Sequence, residues 1–566
     1  RAQALLTHML DSVDGSPVAS SVEHPALIMG GTFDPPHRRH LGMLIEACRA
    51  LSASSAIIVP AAANPLKDTG AAPQDVRWEM LQAALLDPGM PFLEIGNLAG
   101  YLVDTKNPDK SIPGSTVIAG IGFISGVRCT VVVDDSGILA GTLTTAGGYR
   151  ISRAEEISLE QKLPFVHLVE SAGGDLMNYT VEGFSSGGAL FGSLAKLSKA
   201  GIPVISILHG SSTAGGAYMP GLSDYVIAIK GTGRAFLAGP PLLRAATGEI
   251  ATEEELGGAE MHATVSGLAE YLAENDGHGI QICRELINRL QWNDNCPLPP
   301  KRDFLEPIYD PDELAGVIPT DYRTPYDMRE LVARVVDGSD FLDFKPRFGV
   351  STVCLQAEIF GQSVGIIGNN GPIDPQGANK ATQFLQLLDQ ANIPALFFQN
   401  TTGYIVGTKS EQAGMIKHGS KMIQAVRNID VPRITVMTGA SFGAGNYGMC
   451  GRGYNPDFLY TFPNARMGVM GGEQAAKTML QIQVAGMKAK GLEVSEAEEK
   501  QLLQTITDNY TRETKPEYAA ARLWVDAIID PLEDEALYEE AEAEAKDDFA
   551  IALERLEEST EEFRQV

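Results

Sequence analysis

The stretch Gly201-Ile-Pro-Val-Ile-Ser-Ile-Leu-His-Gly-Ser-Ser-Thr-Ala-Gly-Gly-Ala-Tyr218 decides the fold, because the chain carries a second version of it. That version is Asp430-Val-Pro-Arg-Ile-Thr-Val-Met-Thr-Gly-Ala-Ser-Phe-Gly-Ala-Gly-Asn-Tyr447. The offset between Pro203 and Pro432 is 432 − 203 = 229, and it also relates Gly210 to Gly439, Ser212 to Ser441, Gly216 to Gly445 and Tyr218 to Tyr447. An upstream block, Phe165–Gly174, stands at the same 229 from Pro394–Gly403. Two blocks in one register mean that the middle of the protein is a duplicated domain. In each copy a short apolar run bounded by Gly or Pro, Val204–Leu208 or Ile434–Met437, reads as a buried strand. A turn of small residues follows, then a segment able to open a helix, as in Gly443–Cys450. Amphipathic stretches with helical spacing, Gly188–Lys199 and Gly414–Val426, lie between the blocks. Repeated strand–turn–helix units of this kind make an α/β fold of stacked layers.

The prolines set the boundaries. Asn293–Thr320 holds Pro297, Pro299, Pro300, Pro307, Pro311 and Pro319 and reads as the linker between the copies. The expected organisation is an N-terminal segment 1–84, a first copy 85–320, a second copy 321–531 and an acidic tail 532–566. From Glu533 onward the tail is rich in Glu, Ala and Leu and lacks Gly and Pro, so it reads as a solvated helix. The length of 566 residues and 44% hydrophobic content suit several buried cores. A net charge of −28 argues against nucleic acid and anionic membrane as partners, since both need a basic face. Six cysteines without CxxC spacing argue against a zinc ribbon or a disulfide framework. They fit a reducing compartment, a bacterial cytoplasm first and a mitochondrial matrix second.

The small-residue turns carry the chemistry. With little or no Cβ, such a turn can aim two consecutive N–H groups at one ligand oxygen and stabilise a developing oxyanion. Ala214-Gly215-Gly216 and Gly443-Ala444-Gly445 are the candidates, one per copy. On this reading the glycines at 216 and 445 leave room for the ligand oxygen itself. Neither turn carries a nucleophile with a partnering histidine, and His209, His262 and His418 read as structural. Two oxyanion turns imply two carbonyl-bearing ligands.

Several longer motifs resemble the carboxyltransferase β subunits of biotin-dependent acyl-CoA carboxylases. They include Thr213-Ala-Gly-Gly-Ala-Tyr218, Phe236-Leu-Ala-Gly-Pro-Pro-Leu-Leu243, Asn400-Thr-Thr-Gly-Tyr404, Ser441-Phe-Gly-Ala-Gly-Asn-Tyr-Gly-Met-Cys-Gly-Arg452 and Val469-Met-Gly-Gly-Glu-Gln474. The resemblance runs from about residue 85 to Pro531. It implies two crotonase-like domains, with acyl-CoA on the first and carboxybiotin on the second. Gly215 and Gly216 would bind the thioester oxygen as it becomes an enolate, with Ser171, Ala172, Gly173, Gly174, Gly192 and Ala214 around the acyl-CoA. Ala444 and Gly445 would bind the ureido oxygen, with Thr402, Gly403, Phe442, Gly443 and Asn446 around the biotin. The ureido nitrogen can then remove the substrate's acidic proton, so no side chain need be the base, and no metal is implied in this chain. No Ala-Met-Lys-Met biotin-attachment sequence and no ATP-binding carboxylase domain are recognisable, so a separate α subunit is expected to make and deliver carboxybiotin. The family's assembly implies a hexamer of β subunits within an α6β6 complex.

The acyl group is read from one position. Methylcrotonyl-type enzymes tend to have two adjacent aromatics before the Gly-Ile-Pro strand, whereas here the stretch is Phe191-Gly-Ser-Leu-Ala-Lys196. The missing ring at Gly192 implies room for a long branched 3-methyl-enoyl-CoA such as geranyl-CoA, carboxylated at its γ-carbon. Alternatives are 3-methylcrotonyl-CoA or another acyl-CoA, propionyl or long-chain. A decarboxylase on the same fold would need a membrane partner. The first residues differ in kind. Met29-Gly-Gly-Thr-Phe-Asp-Pro-Pro-His37-Arg-Arg-His40 and Asn64-Pro-Leu-Lys67 follow the apolar runs Ala26–Met29 and Ala56–Pro60. They resemble the start of the nicotinate-nucleotide adenylyltransferases and imply a partial Rossmann-like βαβ fragment. Arg39 stands where that family has glycine, and its downstream Ser-Ser-Thr-x-x-Arg element is absent, so the fragment is expected to be non-catalytic.

Overall fold

The computed structural model describes residues 26–31, 55–60, 85–87, 90, 92–103, 112–175, 180–296, 302–490 and 494–529. In the N-terminal segment, strands β1 (Ala26–Gly31) and β2 (Ser55–Pro60) pair in parallel, with Ala26 opposite Ser55. His37, Arg39, His40, the Asn64–Lys67 motif, Pro297, Pro299, Pro300 and the acidic tail lie outside the described residues. The rest of the proline-rich linker is partly ordered into a 3-10 turn at Pro311–Glu313 and a short helix at Leu314–Val317.

Contacts between residues divide the chain into two compact units. The first holds the described residues within 1–92, 121–143 and 163–294. Its sheet contains β3 (Val127–Asp134), β4 (Phe165–Val169), β5 (Val204–Leu208), β7 (Tyr225–Ile229) and β9 (Tyr271–Ala273), hydrogen-bonded in that order and all parallel. Every residue of β3, β4 and β5 is buried, as in a parallel sheet covered on both faces, and most of them are apolar. Between β5 and β7 the chain places β6 (Ser211–Thr213), which pairs in parallel with β8 (Arg234–Phe236) beyond β7 in a separate two-stranded sheet. Helix α1 (Ala189–Lys199) buries Leu190, Leu194 and Leu197, the i, i+4, i+7 spacing of one apolar face. Each buried leucine contributes about 1.5–3 kcal/mol. Helix α2 (Gly215–Leu222) follows β6, and helix α3 (Asp276–Leu290) starts at the N-cap Asn275, whose side chain accepts from the His278 amide.

The second unit holds the described residues within 93–120, 144–162 and 295–529. Its strands are β10 (Phe341–Asp343), β11 (Thr352–Ile359), β12 (Gln362–Asn369), β13 (Ala395–Thr401), β14 (Arg433–Phe442), β15 (Phe458–Thr461), β16 (Arg466–Gly468) and β17 (Ala527–Ile528). The order across the sheet is β10-β11-β12-β13-β14-β15-β17, and β16 pairs with the end of β14. The first two pairings are antiparallel and the rest parallel. Helix α4 (Pro375–Ala391) begins with Pro at its first position and the Asp374 cap, and helix α5 (Met415–Asn428) covers the same core. Phe384, Leu388, Phe397, Met422 and Val426 meet there. The helix Thr145–Gln161 also belongs to this unit. Its Arg150 is fully buried and donates to the Ile95, Gly114 and Val117 carbonyls and to Glu94. Its Arg153 donates to both carboxylate oxygens of Asp526, at 2.8 and 3.0 Å.

The ladders correct the register of the upstream repeat. Phe165 pairs with Val204 in the first unit, and Ala395 pairs with Arg433 in the second. The later strands keep the offset 433 − 204 = 229, but the earlier ones stand at 395 − 165 = 230. The second copy therefore has one residue fewer between these strands. Pro164 matches Pro394, Ser171 matches Thr401 and Gly173 matches Gly403, rather than Gly174 matching Gly403. A one-residue slip would exchange the faces of a whole strand, so the ladder decides.

Candidate active site

Each copy brings its two small-residue segments together at the ends of neighbouring strands. In the first, Ser171 follows β4 and is buried. Its hydroxyl donates to the Gly141 carbonyl at 2.8 Å and accepts from the Gly173 amide at 3.2 Å. Its carbonyl accepts from the Thr213 amide at 2.9 Å, which ties the end of β4 to β6. The next amide, of Ala214, donates to the Phe236 carbonyl at 3.0 Å. Ala214 has φ 52° and ψ −112°, a conformation that a residue with a Cβ rarely adopts and that costs about 1–3 kcal/mol. That bend starts α2. Gly215 and Gly216 are its first two residues, and the first amides of a helix have no partner within it.

The second copy repeats this construction. The Thr401 hydroxyl accepts from the Gly403 amide at 3.2 Å, as Ser171 does from Gly173. Gly443, at φ 57°, takes the place of the strained Ala214 and opens helix α6 (Gly443–Gly448), which carries Ala444 and Gly445. The Cβ positions of Gly216 and Gly445 face other parts of the protein itself, which corrects the reason for their being glycine. A Cβ on Gly216 would stand 2.9 Å from Ser171 Cβ, and one on Gly445 would stand 2.7 Å from Gly403 Cα. The positions just before them are open. A Cβ on Gly215 would meet only Phe191 Cζ, at 3.7 Å, and the matching residue is already Ala444.

The remaining sequence-derived residues fall into two groups. Ala172, Gly174, Thr402 and Ala444 are exposed beside the turns. Phe442 is buried, with its ring edge-on to Tyr322 at 5.7 Å. Asn446 is also nearly buried, and its side-chain amide points inward to Ser441 Oγ at 2.8 Å. Gly192 lies on α1, and a Cβ there would meet nothing within 4 Å, so it is not a tight-packing glycine within this chain. Its neighbour Phe191 borders the first turn and stacks, tilted, on Tyr218 at 5.8 Å. His262 is structural as expected, with its ring nitrogens 2.8 Å from the Ala235 carbonyl and 2.7 Å from Ser266 Oγ. Sequence reasoning passed over Phe191 as a wall of the site and Gln399 beneath the second turn. The available signal for Gln399 was an amide closing the apolar run Ala395–Phe398 of β13, just before Asn400 and Thr401.

Each copy thus carries a bent small-residue turn at the start of a helix, within a crotonase-like α/β domain. Residues 75–551 match the carboxyl transferase domain family, and the chain belongs to that family. It is 44% identical over 448 residues, 79% of this chain and 83% of the relative, to a probable biotin-dependent acyl-coenzyme A carboxylase beta2 subunit of Mycobacterium tuberculosis. It is 43% identical over 455 residues, 79% of this chain and 77% of the relative, to the mitochondrial methylcrotonoyl-CoA carboxylase beta chain of Arabidopsis thaliana. The crystal structure of the geranyl-CoA carboxylase beta subunit of P. aeruginosa superposes with a TM-score of 0.73 at 48% identity, over 82% of this chain and 86% of that one. The protein is accordingly a carboxyltransferase β subunit of the biotin-dependent acyl-CoA carboxylases, an enzyme that moves a carboxyl group from carboxybiotin to an acyl-CoA.

Proposed function

We propose that the acyl-CoA thioester oxygen sits on the Gly215 and Gly216 amides and the biotin ureido oxygen on those of Ala444 and Gly445. The supporting observation is the repeated geometry: a positive-φ residue, then a helix start whose second or third residue must be glycine because the Ser171 or Thr401 turn lies against it. Both turns stabilise negative charge with backbone dipoles fixed in advance. The substrate proposed is a branched 3-methyl-enoyl-CoA with a long chain, such as geranyl-CoA, carboxylated at its γ-carbon. The exposed, unobstructed position of Gly192, next to Phe191 beside the first turn, supports it, as does the likeness to the geranyl-CoA carboxylase subunit. The methylcrotonoyl-CoA relative favours a short acyl group as the second reading.

A biotin-carrying α subunit with a biotin carboxylase domain would supply carboxybiotin, and the β subunits would form a hexamer within α6β6 in which the first copy of one chain meets the second copy of another. Matching exposed apolar side chains rim both turns and support such cover. Tyr218 and Tyr447 are each 48% exposed, and Leu237 and Val469, each just after the paired short strand, are 62% and 74% exposed. A bacterial cytoplasm is the proposed location. Among the described residues no helix is long and apolar enough to cross a membrane.

The test of the substrate is Gly192→Phe in the complete complex, assayed on geranyl-CoA and on 3-methylcrotonyl-CoA. Each methylene that loses its buried place costs about 0.8 kcal/mol. Activity on the long substrate should fall far more than on the short one. Equal loss on both, or a wild-type preference for the short acyl group, overturns the long-chain reading.

A further inference from the structure

We propose that Gln399 is the positioning residue of the second turn: its side-chain amide ties the strand entering the turn to the helix leaving it, and so fixes the Ala444 and Gly445 amides. Gln399 lies in β13 and is fully buried. Its Oε1 accepts from Ser441 Oγ at 2.5 Å, two residues before the bend. Its Nε2 donates to the Met449 carbonyl at 2.5 Å, just past the end of α6. Asn446, the residue after Gly445, closes the loop by donating to Ser441 Oγ at 2.8 Å, with Gln399 Oε1 3.5 Å away. Three side chains thus bracket the two amides from both sides of the backbone, and a network whose members are all satisfied rigidifies what it spans.

The duplication supplies an internal control. At the offsets given by the ladders, Gln399 corresponds to Val169 (399 − 230) and Asn446 to Ala217 (446 − 229), while Ser441 corresponds to Ser212. The first copy therefore keeps the serine and lacks both partners. Ser212 is fully buried and its Oγ has no hydrogen-bond partner. A polar clasp beneath the turn is thus not a requirement of the fold. It is confined to the copy that would receive biotin, which is the same in every turnover, while the bend at Ala214 is tied by backbone bonds to Ser171 and Phe236 without such a clasp.

The inference rests on the reading that the Ala444 and Gly445 amides receive the ureido oxygen. The experiment uses the complex with its biotin-carrying partner and the variants Gln399→Met, which keeps the volume, and Asn446→Ala, which installs the alanine that the first copy folds with. In both, kcat should fall between about 10- and 10²-fold, since misplacement of a catalytic group by about 1 Å can cost the latter. KM for acyl-CoA should stay within about twofold, and release of CO2 from carboxybiotin without acyl-CoA should slow by the same factor as kcat. Gly445→Ala serves as the reference. If it abolishes turnover while both network variants retain wild-type kcat, the positioning role is overturned and the oxyanion reading stands. Full activity in all three variants removes the oxyanion reading, and the inference with it. Loss of folding in both network variants assigns the clasp to stability and overturns the proposal.

Discussion

Replacing Gly216 by alanine, with Gly215→Ala as its neighbour control, separates a turn whose backbone position matters from one that is merely small. On Gly216 the added methyl would lie 2.9 Å from Ser171 Cβ, 3.1 Å from Ser171 O and 3.2 Å from Ser171 Oγ. Carbon–carbon contact is favourable only at about 3.5–4.0 Å, so something must move by about 0.6 Å or more. Ser171 resists moving, because Gly141, Gly173 and Thr213 hold it on three sides. The start of α2 gives way instead, and the Gly215 and Gly216 amides move with it. Overpacking of this kind costs about 1–3 kcal/mol of stability. Loss of one oxyanion donor costs about 2.7–4 kcal/mol of transition-state stabilisation, or about 10²–10³ in kcat. Gly215→Ala puts its methyl 3.7 Å from Phe191 Cζ, an ordinary contact, and should change kcat by no more than about threefold, as for a substitution that removes nothing. The assay is incorporation of labelled bicarbonate into saturating acyl-CoA by the complete complex, with urea unfolding of each variant in parallel. Wild-type kcat in Gly216→Ala, or a larger loss in Gly215→Ala, refutes the reasoning.

The buried Asp526 should dominate the acid stability of the second unit. Burial would raise its carboxyl, but Arg153 and Arg452 outweigh burial and hold it below its ordinary value. Its stabilising contribution is present above the unfolded value of about 3.9 and is lost as pH falls through the lower folded value. Asp526→Ala, which leaves Arg153 only Glu156 and the Asp457 carbonyl as partners, should cost about 1–3 kcal/mol in denaturant unfolding at pH 7, and a cost below about 1 kcal/mol would show the pair to be dispensable. Glu155 acts in the opposite sense: it is buried, neither carboxylate oxygen has a partner, and desolvation pushes it up to about 9. Its folded state holds the proton more tightly than the unfolded one, so stability drains away as pH rises from about 4.3 toward 9. Glu155→Gln should flatten that decline in melting temperature between pH 5 and 9, and an unchanged slope would exclude Glu155 as its source.

What was legible in the sequence was whatever one strand and one turn decide locally. Val204–Leu208 is a strand with those bounds, and α1 and α5 fall on the two stretches read as amphipathic, because apolar spacing alone specifies them. The upstream register was not legible to the residue. Phe165–Gly174 and Pro394–Gly403 match plausibly at either offset, since both end in small residues, and only the hydrogen-bonded partners of Phe165 and Ala395 discriminate. The purpose of Gly216 was equally hidden. A missing Cβ says that something lies close, but whether ligand or Ser171 occupies the space depends on a residue 45 positions away. The partner of Asn446 was hidden for the same reason: its place next to a candidate catalytic glycine does not show that its amide bonds Ser441 Oγ.

The two turns share a backbone but are held by different means. Three features recur in both: a hydroxyl, Ser171 or Thr401, accepting from Gly173 or Gly403; a residue at positive φ; and a glycine pressed against the hydroxyl-bearing segment. Around them the chemistry diverges. The first copy tolerates a strained alanine at 214 and leaves Ser212 unpartnered, so its bend is maintained by backbone bonds to Ser171 and Phe236. The second relieves that strain with Gly443 and adds the Gln399–Ser441–Asn446 clasp. Strain of about 1–3 kcal/mol persists only where the surroundings over-determine the conformation, and at Ala214 the flanking strand bonds do so. The features common to both turns set the direction of two amides, which is what oxyanion stabilisation requires. The features that differ set how firmly that direction is held, and here the turn proposed for biotin is the more firmly held.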